Sequence, residues 1–452
     1  MLRRLGAFGI AALFVAAACT PGQVASPSPA PQDTPAPVDT PAPVDTPAPV
    51  DTPAPVDTPD AGQMPDDPLG VVTIPAGEPI HIVFWGVLSG PDATLGTDSE
   101  RGVRIAIEDR GGELLGRPIE LTTEDGLCTP EGGANAASRI VADPTVVGLI
   151  GSTCSDETVG GIQAITDAGL TTISPANTRP TLTVPERGPE YAGYARTAHS
   201  DAIQGVVAAD FAFEELGART AATVHDGSAY AEALQGVFAD HFRELGGEVV
   251  LQTAVSKGQT DMAPVLTQIA SAADGAAPDV VFAPLFVGEM GFFINQSAQV
   301  QGLEETTFMG ADAAFSPDFI TAAGDAANGM YLSSPDFTAF GPEYQGFLDK
   351  HQDMFGGDVL SIFHAHAYDA ANIMFNAIEQ VAVEGPGGEL WVPKGALRDA
   401  IFATANHQGI TGTLSCNEHG DCSAPVIAIY AVTERETGGE WPPEVPFWRP
   451  GE

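Results

Sequence analysis

The sequence predicts an α/β protein built on two parallel-type sheets. Short apolar strand patterns alternate with amphipathic helix patterns from about residue 76 to residue 434. Several of the strand patterns run directly into Gly, Ser and Thr, as strands do when they end at a cleft rather than in a charged surface turn. The alternation also contains more strand–helix units than one sheet holds comfortably, so two lobes are expected.

The first series begins with residues 80–87, apolar and β-branched, which stop at Ser89-Gly90-Pro91. A helix pattern follows over 102–108, a strand over 119–123, and a helix over 131–142 that Pro144 stops. Residues 146–150 form an apolar run of the kind buried on both faces of a sheet. The run ends in Gly151, Ser152, Thr153 and Ser155, and a helix opens at once, with Asp156 and Glu157 in its first turn and Ile162, Ile165 and Ala168 at helical spacing. Residues 170–173 read as the next strand and end in Ser174, Ala176, Asn177 and Thr178. The second series places helices over 202–216, 230–245, 262–271 and 289–301, and strands over 220–225, 249–255, 279–285 and 307–310. Helices dominate from 343 to 404. A hairpin of 413–415 with 426–432 is expected to return the chain to the second lobe, so that several segments cross between lobes and form a hinge.

Composition narrows the function. The net charge is −42, and only Lys257, Lys350 and Lys394 are lysines, which argues against binding nucleic acid or anionic lipid headgroups through a basic patch. Residues 1–19 have a secretory layout: Arg3 and Arg4, then an apolar stretch too short to span a bilayer. Ala16-Ala17-Ala18-Cys19 resembles a bacterial lipobox; lipidation at Cys19 is preferred over plain secretion with cleavage after a small residue. Residues 20–76 are a Pro-rich linker in which Asp33-Thr-Pro-Ala-Pro-Val38 recurs from Asp39, Asp45 and Asp51, which favours an extended polyproline spacer. Residues 435–452 form a second Pro-rich segment. Four further cysteines in an exported chain favour disulfides. Cys416 and Cys422 flank a turn-rich sequence and would bridge it, which leaves Cys128 and Cys154 to pair; a zinc site from Cys416, His419 and Cys422 lacks a fourth ligand nearby.

The two adjacent strand ends, at 151–155 and 174–178, carry the function. A Gly/Ser turn between a buried strand and a helix start offers free N–H groups and a positive dipole end, a seat for a small carboxylate. No Gly-x-Ser-x-Gly elbow or Walker loop is present. His364 and His366 stand two apart on a helix and face different ways, so neither a metal nor a cofactor is expected. Phe292 and Phe293 read as core, and Trp85 as either core or cleft wall.

Gly86-Val-Leu-Ser-Gly-Pro91, Cys154-Ser155, residues 174–183, Val224-His-Asp-Gly-Ser-Ala-Tyr230, Phe308-Met-Gly-Ala-Asp312 and Tyr368-Asp-Ala, in that order, resemble the solute-binding lipoproteins of branched-chain-type amino-acid ABC importers, the leucine/isoleucine/valine-binding protein family. The resemblance covers about residues 78–434. It implies two Rossmann-like lobes joined by three crossovers (the type I periplasmic binding fold), residues 77–198 with 333–408 forming one and 199–332 with 409–434 the other. It also implies that Ser155 and its helix start, beside Cys154, hold a ligand carboxylate. Ala176 and Thr178 share the ammonium and carboxylate, Asp312 neutralises the ammonium, Tyr230 and Phe286 come from the second lobe, and Leu95 stands in the wall. Asp156, an extra acid beside the carboxylate seat, is expected to stabilise its helix. The implied protein is monomeric, extracytoplasmic, held to the membrane by its lipid alone, and a partner of ABC permease subunits. A sensory module of the same fold and an extracytoplasmic enzyme are the alternatives.

Overall fold

In the computed structural model, which describes residues 62–451, strand β1 (Val71–Ile74) lies inside the span expected to be linker. Asp67 already belongs to the folded body, since its carboxylate accepts the N–H groups of Gly395 and Ala396. The four-residue strand is hidden in sequence by its Asp-, Pro- and Gly-rich flanks. Cys19 and the repeats from Asp33 to Asp51 lie outside the described residues.

The first lobe contains β2 (Ile80–Gly86), β3 (Glu113–Leu114), β4 (Arg117–Asp125), β5 (Val146–Gly151), β6 (Thr172–Ser174) and β7 (Tyr194–Arg196), hydrogen-bonded in the order β3-β4-β2-β5-β6-β7. All pairs are parallel except β3 with β4. Every residue of β2 and β5 is buried, as expected of central strands covered on both faces. Trp85 is wholly buried, its indole N–H 3.1 Å from Thr172 Oγ1, so it is a core residue and not a cleft wall.

The second lobe contains β8 (Thr220–His225), β9 (Glu248–Ala254), β10 (Val280–Phe282), β11 (Thr307–Gly310) and β12 (Tyr331–Pro335). The chain then re-enters the first lobe. There β13 (Val383–Glu384) and β14 (Leu390–Pro393) join β1 in a small antiparallel sheet, and β15 (His407–Gly409) pairs with β16 (Gly412–Leu414). Last, β17 (Ile427–Ala431) adds antiparallel to β12 and completes the order β17-β12-β11-β10-β8-β9. The chain therefore passes between the sheets three times, after β7, after β12 and before β17.

Several expectations are corrected. The strands 413–415 and 426–432 are not partners: β16 pairs with β15, and β17 with β12. Residues 409–423 pack with the first lobe, not the second. Ile410 sits against Ile105 and Phe347, while Leu414 and Cys422 enter the first lobe's core. The anchor is Asp369, whose carboxylate accepts the Ile410 and Thr411 N–H groups and the Thr411 hydroxyl. Phe293 is core, but Phe292 is 44% exposed. Strands β7 and β12 were not anticipated, because Tyr-Ala-Arg is too short to show a pattern and Tyr-Leu-Ser-Ser-Pro is polar and ends in Pro. The C-terminal segment lies along the second lobe, with Trp448 bridged to Ile429 and its ring 5.5 Å from Phe211. Disulfides join Cys128 to Cys154 and Cys416 to Cys422. Among the described residues no helix is long and apolar enough to cross a membrane.

Replacing Asp369 by Ala leaves two buried N–H groups and a hydroxyl without their acceptor. It is expected to lower unfolding stability by about 3 kcal/mol, read as a lower urea midpoint. An unchanged midpoint would show that the 410–411 turn is not held by Asp369.

Candidate functional site

Strand β5 ends in a turn that only its own residues permit. Gly151 has φ +139°, and a Cβ there would sit 2.1 Å from the Trp85 carbonyl oxygen. The helix Ser155–Asp167 starts immediately after, with Cys154 as its N-cap residue. Glu157, at the third helical position, reaches back, and its carboxylate accepts the N–H groups of Cys154 (2.9 Å), Thr153 (3.1 Å) and Cys128 (2.9 Å). Two of the turn's N–H groups expected to await an anion are thus occupied internally. The Ser155 and Asp156 N–H groups remain at the first two helical positions, where the helix itself supplies no acceptor. The Ser155 hydroxyl is buried and has no hydrogen-bond partner.

The neighbouring strand end is tied to this turn. Ser174 Oγ donates to the Ser152 carbonyl (2.7 Å) and accepts from Asn177 N–H (2.9 Å), while Thr158 Oγ1 donates to Asn177 Oδ1 (2.6 Å). These bonds hold Ala176 and Thr178 at a fixed offset from Ser155. The second lobe faces them with Tyr230, at the start of the helix Ala229–Glu244, with Phe286, and with Asp312, just after β11. Tyr230 donates its hydroxyl to Asp312 Oδ1 at 2.5 Å and lies 5.4 Å from the Phe286 ring.

One small cavity, about 10 Å³, is lined by Leu95, Thr153, Cys154, Ser155, Ala176, Thr178 and Phe363 from the first lobe and Tyr230, Phe286, Asp312 and Ala313 from the second. All eight residues singled out in the sequence are brought together there. Thr153 belongs to the strand end read as the carboxylate seat; Phe363 and Ala313 were not foreseen. Neither was the shell behind the wall. Gln204 Nε2 donates to Asp312 Oδ1 (3.1 Å), and its Oε1 lies 2.7 Å from His199 Nε2. Asp201 is wholly buried next to Thr178, whose carbonyl accepts the Asp201 N–H, and neither carboxylate oxygen has a hydrogen-bond partner of good geometry. Following Ser200, Asp201 reads in sequence as an ordinary first-turn helix acid, which is why it escaped notice.

Among the described residues no lysine or arginine forms an ion pair with Asp312 or Asp201; the cation acting on Asp201 is the buried Arg196, which is itself paired with Asp421. Burial, and then the charge of Asp312, push the Asp201 carboxyl well above the usual carboxylate range. Burial and Asp312 likewise hold the Tyr230 phenol up. His199 Nε2 is 3.8 Å from Asp312, but burial lowers its pKa and favours the neutral imidazole. Asp156 lies in the first turn of its helix, as expected of a helix-start acid, and its carboxylate also crosses to the other lobe and accepts the Ala229 N–H at 3.1 Å. No group of three or more potential metal ligands occurs among the described residues.

Residues 79–396 match the periplasmic binding protein family. The chain belongs to that family. This periplasmic binding protein is 28% identical over 361 residues to the leucine-, isoleucine-, valine-, threonine- and alanine-binding protein of Pseudomonas aeruginosa, covering 78% of this chain and 90% of the relative. It is 30% identical over 259 residues to the leucine-specific-binding protein of Salmonella typhimurium, covering 57% and 67%. Among solved structures, a leucine-binding protein from Thermotoga maritima shares its fold, at 23% identity and a TM-score of 0.69 over 78% of this chain and 96% of that one. A solute-binding protein from R. palustris solved with benzoate does so at 20% identity and a TM-score of 0.68, covering 79% and 94%. The relatives are binding proteins, and the role of this periplasmic binding protein is to bind a solute.

Burial raises Glu157 from 4.5 to about 7, outweighing its three N–H donors. The folded chain therefore holds a proton between about pH 4.5 and 7 that the unfolded chain releases, so this group's contribution to stability is lost as pH rises through that window. Glu157→Gln removes the dependence. Urea unfolding at pH 5 and pH 8 should show the variant gaining up to about 3 kcal/mol on the wild type as pH rises. A pH-independent difference between the two would contradict the assignment.

Proposed function

We propose that the protein is the extracytoplasmic solute-binding component of an ABC importer, which captures a small amino acid of branched-chain type between two closing lobes and delivers it to a membrane permease. The observation that carries this reading is the polarity of the cavity. A helix start with the unpartnered Ser155 hydroxyl forms one wall, and the Tyr230–Asp312 pair, backed by Asp201, forms the opposite one. A zwitterion fits that arrangement: its carboxylate takes the N–H and hydroxyl donors, and its ammonium supplies the positive charge the acids lack. Leu95, Phe286 and Phe363 offer only apolar contact, which suits an aliphatic side chain and nothing charged.

The relatives named for leucine, isoleucine and valine support the same class. A related carboxylate such as the benzoate of the R. palustris protein suits this site less well, because an amine-free ligand leaves the buried Asp312 without a cationic partner. In this reading the amino-terminal Cys19 lipid and the Pro-rich repeats tether the binding lobes near the permease. Because a solute that touches both walls is satisfied only when the lobes meet, it draws the protein to the closed form in proportion to its preference for that form.

Calorimetric titration against a panel of amino acids and their des-amino acids tests the proposal. L-Leucine, L-isoleucine or L-valine should bind and raise the melting temperature without turnover, and 4-methylpentanoate should not bind. Asp312→Asn should weaken amino-acid binding by about 30-fold or more, the loss expected when one partner of a buried charge pair is removed, with the ligand-free melting temperature little changed. Tight binding of the des-amino acid, or full affinity in the variant, would refute the assignment of Asp312.

A further inference from the structure

Beside the cavity, the two lobes meet along a seam of like charge. The first lobe brings Asp92 and Asp156; the second brings Asp226 and Glu289. Asp92 Oδ1, Asp226 Oδ2 and Glu289 Oε2 are each buried without a hydrogen-bond partner. Closing the lobes therefore moves carboxylates of one toward carboxylates of the other, and repulsion opposes closure.

Into this seam the second lobe places Lys257, one of three lysines in the chain. Its ammonium donates to the Cys128 carbonyl of the first lobe at 2.7 Å and lies 3.9 Å from Asp92 Oδ2. It also stands 4.8 Å from the centre of the Phe286 ring, which lines the cavity. The acceptor is presented by an unusual backbone. Leu127 and Cys128 both have left-handed φ, +58° and +51°, a conformation that costs a residue with a side chain energy and persists only where the surroundings impose it. Here the Cys128–Cys154 disulfide and the Glu157 bond to Cys128 N–H impose it, and Cys154 is itself a cavity wall residue.

We infer that Lys257 is the positioning residue that holds the lobes together over the bound solute, its charge bridging the acidic seam and its hydrogen bond gripping the strained Cys128 carbonyl. It does not line the cavity, so it acts through closure rather than by touching ligand. The inference rests on the solute-binding reading above for its purpose but not for its geometry. The lysine side chain is 31% exposed, so its loss leaves the core intact.

The test compares Lys257→Met and Lys257→Arg with wild type in two ways. The first is titration with L-leucine, including the dissociation rate. The second is hydrogen exchange of the segment 226–231 in ligand-free protein, which contains the Ala229 N–H bonded across the seam to Asp156. K257M should bind L-leucine about tenfold more weakly, through faster release, and segment 226–231 should exchange faster. K257R, which keeps the charge, should stay within about threefold of wild type. Adding Asp92→Asn to K257M should recover part of the lost affinity, because it removes a carboxylate that has lost its cation. Equal exchange in K257M and wild type overturns the latch whether or not leucine binds, as does K257R weakened as much as K257M. Failure of wild type to bind any amino acid, with faster exchange in K257M, would keep the latch and refute the solute assignment.

Discussion

Two carboxylates, Asp201 and Asp312, are buried at the meeting of two sheets, and among the described residues neither pairs with a lysine or an arginine. Asp312 is given a phenol and an amide as donors, and Asp201 has a hydroxyl close by. These neutral groups soften the cost of burial but do not supply the opposite charge that a desolvated carboxylate demands. A site organised this way is unfinished without a cation. Both carboxylates stand on the second-lobe side of the cleft, Asp201 in the helix that follows the first crossing and Asp312 just after β11, so one wall of the cavity carries the acids and the other carries the donors.

The scaffold fixes the opposite pole with equal economy. One turn, from Gly151 to Ser155, is held from beneath by Glu157, from the side by the Ser174 and Asn177 contacts, and covalently by Cys128. Rigid placement matters because the Ser155 hydroxyl and helix start must keep their spacing from Ala176 and Thr178 within the same lobe while the lobes move, so that closure brings a preformed pole to Asp312. Glu157 also shows how local needs compete with function at a helix start. The positive end of a helix attracts any nearby acid, and here part of that attraction is taken by the protein's own side chain before a ligand arrives.

Much of this was legible in the sequence, for identifiable reasons. The strands 80–86, 220–225 and 307–310 are long or β-branched enough to declare themselves, and the cavity residues follow strand ends, where small polar side chains stand out against apolar runs. What was hidden depended on tertiary context. β7 and β12 are strands because the sheet recruits them, not because their residues prefer it. The return segment 409–423 lies with the first lobe because Asp369 and the core around Leu414 hold it there, and no local pattern reports a partner forty residues away. Asp201 and Asp156 both look like helix-start acids; only the packed structure shows that one sits behind the cavity wall and the other reaches across the cleft.

The most direct measurement of the central claim is a crystal structure of the protein grown with L-leucine. The account predicts the amino acid in the cavity between Ser155 and Asp312, its carboxylate on the Ser155 hydroxyl and helix start, and its ammonium within hydrogen-bond distance of Asp312 and the Ala176 carbonyl. Leucine bound in the reverse orientation, or seated outside that cavity, would contradict it.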